Sequence, residues 1–122
     1  MIRDYTVSLS PEQAASAIIE TITQEKALFR IGKDPGILLD NYRINSSSGT
    51  IISLILTKYY IRVGSFITLA ITISNLLGVT TIHVSTGGHK RWSKEGEDFG
   101  AGSDFMDMVE KALADYIVQR ET

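Results

Sequence analysis

Tyr5, Val7 and Leu9 alternate with Thr6 and Ser8, a period of two that sets one face of a strand on a core and the other toward water. The alternation stops at Ser10-Pro11-Glu12-Gln13. Serine as N-cap, proline at the first helical position and glutamine three residues past the cap together satisfy the donors that open a helix. The period then becomes helical, with Ala15, Ile18, Ile19 and Ile22 forming a narrow apolar stripe on a helix that runs to about Gln24.

From Ala27 onward β-branched and aromatic residues dominate and turn chemistry recurs at regular intervals, the pattern of an antiparallel meander. Lys33-Asp34-Pro35-Gly36 suits a turn, because proline presets φ and glycine accepts positive φ at the next position. Residues 45–49 read as a polar loop. Gly64-Ser65, between Val63 and Phe66, reads as a two-residue hairpin connection with glycine first. Counting back from it pairs Val63 with Phe66, Ile61 with Thr68, Tyr59 with Ala70 and Thr57 with Thr72. One face then carries Leu54, Leu56, Tyr60, Ile67, Leu69, Ile71 and Ile73, with Lys58 and Arg62 among them, and is expected to hold the core. The opposite face is hydroxylated, with Ser53, Thr57, Thr68, Thr72 and Ser74 interleaved with Ile51, Ile55, Ile61, Val63 and Phe66.

The apolar passage over residues 66–79 contains Thr68, Thr72, Ser74 and Asn75 and falls short of the roughly 20 apolar residues a spanning helix needs, so it reads as a strand. A last strand over residues 80–86 points Ile82 and Val84 one way and Thr81, His83 and Ser85 the other. A connection of about eighteen residues follows, over 85–102, and irregular connections of that length tend to be functional or disordered. It holds half of the glycines and the only tryptophan, Trp92. Ser103 or Asp104 is expected to cap a closing helix whose apolar stripe runs Phe105, Met106, Val109, Ala112, Leu113, Tyr116 and Ile117. The order strand, helix, about five strands, helix predicts a single α+β domain over residues 1–122, two layers deep, with the C-terminal helix on one sheet face.

That order is similar to a shortened helix-grip architecture, in which a curved antiparallel sheet wraps a C-terminal helix and a small apolar ligand can sit between them. Ser85-Thr86-Gly87-Gly88, followed by an aromatic residue, a lysine, a glycine and a short C-terminal helix, resembles a family of small uncharacterised bacterial proteins known only as a domain of unknown function. The resemblance covers about the last 40 residues and implies a fold without an assigned activity.

Composition narrows the class. Across 122 residues, 43% hydrophobic and 21% charged side chains are those of an ordinary globular domain rather than a disordered chain. Twelve basic against fourteen acidic residues leave a formal charge of −2, with no basic field to attract nucleic acid. The absence of cysteine excludes disulfides, thiolate metal sites and cysteine nucleophiles. The N-terminal residues do not have the charged and apolar regions of a secretory signal, so a bacterial-type cytoplasmic location is expected, without a membrane.

Candidate chemistry gathers at the long connection. Gly100-Ala101-Gly102-Ser103 precedes a helix, where free N–H groups suit an anion, and His89, Lys90 and Arg91 would add positive charge. Asp104 and Asp107 oppose it, and no phosphate-loop or dinucleotide spacing is present. His83 and His89 lie on different elements, so no metal site is expected, and no cofactor is implied. For Lys58 and Arg62 on the aliphatic face, three arrangements remain open: stems buried at the sheet margin, a β-bulge that reverses their facing, or the lining of a cavity for an acidic group. These readings predict a small binding or protein-interaction domain rather than an enzyme. A small-molecule ligand would sit between the C-terminal helix and the sheet, with Trp92 and Phe99 at the mouth and Lys58 or Arg62 on any acid group. One alternative is an enzyme acting on an anionic small molecule, with His89 as acid/base and the turn ending at Ser103 as anion holder. Another is a structural homodimer formed through the hydroxylated sheet face.

Overall fold

Ser10 opens the first helix as its spacing predicts. Its hydroxyl accepts the Gln13 N–H at 3.1 Å and its own N–H donates to Gln13 Oε1 at 3.0 Å, closing a capping box on helix α1 (Pro11–Thr23). The structure, a computed structural model, describes residues 1–24, 35–87 and 100–121. Strand β1 (Ile2–Val7) precedes α1, and β2 (Ile37–Ser46), β3 (Gly49–Tyr60), β4 (Ser65–Ser74) and β5 (Thr80–Gly87) follow it. Helix α2 (Ala101–Leu113) and strand β6 (Ile117–Glu121) complete the chain. Among the described residues, six strands form one antiparallel sheet in the order β2-β3-β4-β5-β1-β6.

The fold is α+β, with both helices against the same sheet face and against each other. The core lies between these layers. Ile52, Leu54 and Leu56 of β3, Ile67 to Ile73 at alternate positions of β4, and Ile82 and Val84 of β5 are all buried. From above they meet Ile18 and Ile22 of α1 and Phe105, Met106, Val109 and Leu113 of α2, each fully buried. The aliphatic face read from the sequence is therefore the core face.

Its register differs from the expected one. β3 ends at Tyr60, opposite Ser65, and residues 61–63 tighten into a 3₁₀ turn closed by Gly64 in the left-handed region (φ 62°). Thr72 consequently pairs with Ser53 rather than Thr57, a slip of four residues. An even slip leaves every strand residue on its predicted face, since facing repeats every two. The turn residues do change. Val63, expected on the hydroxylated face, folds into the core, while Arg62 leaves the aliphatic face for the surface. The Gly64 N–H donates to the carbonyls of both Tyr60 and Ile61, which fixes this tighter closure in place of a two-residue hairpin.

Three other expectations are corrected. The passage over residues 66–79 is a strand only to Ser74, after which the chain turns, leaving Leu77 83% exposed. Residues 45–49 form a tight hairpin closed by Ser46 opposite Gly49. The final helix stops at Leu113, and Ile117 begins an edge strand on β1. A Ser8 N–H donating to the Tyr116 carbonyl at 2.9 Å guides the chain there, and β6 then covers backbone groups that β1 would otherwise leave unpaired. The expectations for residues 27–34 lie outside the described residues.

Candidate functional site

Of the residues singled out for ligand contact, Lys58, Arg62 and Ser103 are described, whereas His89, Trp92 and Phe99 lie outside the described residues, as do Lys90 and Arg91. Lys58 is 5% exposed on the core face near the end of β3. Its ammonium and the Arg62 guanidinium each lie 5.5 Å from the centre of the Tyr60 ring, which is tilted on Phe105 of α2. Both cations thus use the aromatic face, and Arg62 also pairs with Asp104. The structure brings Lys58 and Arg62 together, around a tyrosine.

Ser103 is in another place and does another job. α2 begins at Ala101 behind Gly100 (φ 81°), which serves as cap without a side-chain hydrogen bond, so neither Ser103 nor Asp104 caps the helix. The Ser103 hydroxyl accepts Arg3 Nη2 at 3.0 Å, and Arg3 Nη1 pairs with Asp107 at 2.7 Å. One turn further, the Tyr5 hydroxyl donates to Glu110 at 2.9 Å, and Arg120 of β6 lies 3.7 Å from the same carboxylate. Asp107 raises the Arg3 pKa against the opposing effect of partial burial. Burial, then the hydrogen bond to Glu110, raises that of Tyr5. These contacts strap the polar side of α2 to β1 and β6. The sequence gives Arg3 and Glu110 no role and Asp107 only a charge near a helix start, because contacts spanning over one hundred residues carry no local signal.

The opposite face, helix-free among the described residues, has a different character. In an antiparallel sheet, side chains directly opposite one another share a face. Cross-strand register therefore lines up Tyr42, Ser53, Thr72, His83, Asp4 and Glu121 across all six strands. His83 Nδ1 lies 2.7 Å from Asp4 Oδ1. Thr72, His83 and Asp4 follow the hydroxyl, imidazole, carboxylate order of a hydrolytic triad, but the imidazole is half exposed on an open pleated surface. General-base chemistry draws on a more desolvated setting than that.

Large apolar side chains stand on the β2–β4 side of this face, with Ile37, Tyr42, Ile44 and Phe66 each about half exposed. Phe66 stacks edge-on against Tyr59 at 5.3 Å. The outward positions of β3 and β4, Ile51 to Tyr59 at odd numbers and Phe66 to Ser74 at even numbers, carry no charge. A separate open groove of about 420 Å³ lies on the helix layer, where Leu9, Ala17 and Tyr116 are flanked by Glu12 and Glu20.

Among the described residues no cluster of three or more histidine or carboxylate side chains is placed to hold a metal ion, and no helix is long and apolar enough to cross a membrane. Comparison of the chain with protein-family models, characterised proteins and solved structures finds no match.

Proposed function

We propose that this chain is a protein-interaction domain whose working surface is the helix-free face of its sheet. The observation that carries the reading is the combination of half-exposed Ile37, Tyr42, Ile44 and Phe66 with strands β3 and β4, which turn no charge outward. A face meant only for water alternates apolar-in with polar-out, and here isoleucine and aromatic side chains occupy outward positions on three adjacent strands. Contiguous exposed apolar surface of this kind marks interaction sites, and aromatic residues are enriched there. The Lys58, Tyr60 and Arg62 group and the Arg3 strap hold α2 to the sheet, leaving the opposite face as the working side.

A photoreactive benzophenone side chain in place of Phe66 tests this in cells, with one in place of exposed Lys111 on α2 as the comparison. A discrete polypeptide cross-link from position 66 and none from position 111 is the expected result. Absence of any polypeptide product from position 66 would dispose of the reading.

A further inference from the structure

We infer that the partner of the helix-free face is a second copy of this chain, packed sheet on sheet about a twofold axis that runs parallel to the strands between β3 and β4. This rests on the interaction reading above and names its occupant.

Area is the first argument. Four strands, β2 to β5, spaced about 4.8 Å apart and about ten residues long, present about 600 Å² of flat face. Counted over both copies this is about 1,200 Å², the lower bound of a specific, stable interface. Both remaining elements of that sheet, β1 and β6, would stay outside the overlap, with Asp4 and Glu121 in water as a polar rim.

Charge is the second. A twofold contact places the residues nearest the axis against their own copies, so that region must be free of charge. Here the axis passes beside Ile55 and Ala70, directly paired and neutral, within the uncharged outward positions of β3 and β4. An axis parallel to the strands also lays β2 of one copy over β5 of the other. Asp40, the outward charge of β2 and level with Ile55, then lies over the neutral Ser85 position of the partner's β5, clear of its own copy. The alternative, an axis across the strands at the level of Ile55, would set Asp40 against its own copy. Sheets packed this way sit about 10 Å apart with strand directions about 30° from alignment, a geometry that the twist of each sheet supplies.

The test is sedimentation of the purified chain between about 1 and 100 µM, a range that resolves an interface of ordinary strength. Twice the chain mass at the upper end is expected. Ala70→Glu, an exposed outward position beside the axis, should raise the dissociation constant at least about tenfold, because like charges meet across the interface. Ala114→Glu on the helix layer should leave it unchanged, and circular dichroism confirms that both variants fold. A benzophenone in place of Phe66 should join two copies of the chain. A single-chain mass at every concentration, or a dimer that Ala70→Glu leaves intact, overturns the inference. A monomer whose position-66 cross-link captures a different polypeptide also overturns it while leaving the interaction reading standing. A monomer with no cross-link removes both.

Discussion

Two residues show how the layers are joined. Gly36 donates its N–H to the Ile22 carbonyl at 2.9 Å, so the chain entering β2 runs against the last turn of α1. A Cβ built there would lie 2.1 Å from Ile22 Cγ2 and 3.1 Å from the Ile22 oxygen. Gly36→Ala therefore forces the strand entry or the helix to move. It should cost about 1–3 kcal/mol, as overpacking does, read as a lower denaturation midpoint in urea. Tyr5 works through its hydroxyl, with the ring 4% exposed and the proton donated to Glu110. Its folded pKa lies above the usual 10.0, chiefly through burial. The folded state thus keeps a proton that the unfolded chain releases first. The associated stability is intact below about pH 10 and is lost as pH rises through the elevated folded value. Tyr5→Phe should cost about 1 kcal/mol at neutral pH and flatten the alkaline loss of stability relative to the parent. Parallel denaturation curves at pH 8 and above pH 10 check both parts.

At the scale of elements, α1 depends on a local signal and β6 on a distant one. Ser10 satisfies the Gln13 N–H and Gln13 returns the favour, so Ser10→Ala should lower stability by about 1 kcal/mol, seen as a drop in melting temperature. β6 contributes little burial, since its residues after Ile117 are exposed, but it pairs the backbone of β1 from Asp4 to Val7. A chain ending at Tyr116 should keep its helical signal, melt earlier and scatter light on heating, because β1 becomes a bare edge. The ion pairs that bind α2 to β1 are partly exposed, and each is expected to contribute at most about 1 kcal/mol. The buried faces of Phe105, Met106, Val109 and Leu113 hold that helix down far more strongly.

At the scale of the whole molecule, both described helices lie on one face of the sheet, and among the described residues no helix lies on the other. If two copies close over the bare face, melting temperature should rise with protein concentration, since association stabilises the folded chain by mass action. Because the outward positions of β3 and β4 carry no charge, raising salt should weaken the dimer only slightly. Scanning calorimetry across a dilution series at low and high salt gives both readings.

Much of this architecture is written in short stretches of chain. The capping box at Ser10, the alternation in β1, β4 and β5, and the helical stripe from Phe105 to Leu113 each depend on neighbours within a few residues, so local spacing determined them. The candidate face was legible too, as a hydroxylated surface mixed with isoleucine, because facing depends only on parity and survived a four-residue slip in pairing. The site residues were less so. Arg62 reaches the ring of Tyr60 from the 3₁₀ turn after β3, and Ser103, one turn inside a helix capped at Gly100, accepts from Arg3 at the far end of the chain. The closing strand β6, the true register at Gly64 and the strap on α2 follow from contacts between residues remote in sequence. Their energies depend on which backbone edges and charges the folded sheet leaves unmatched, and only the tertiary structure decides that.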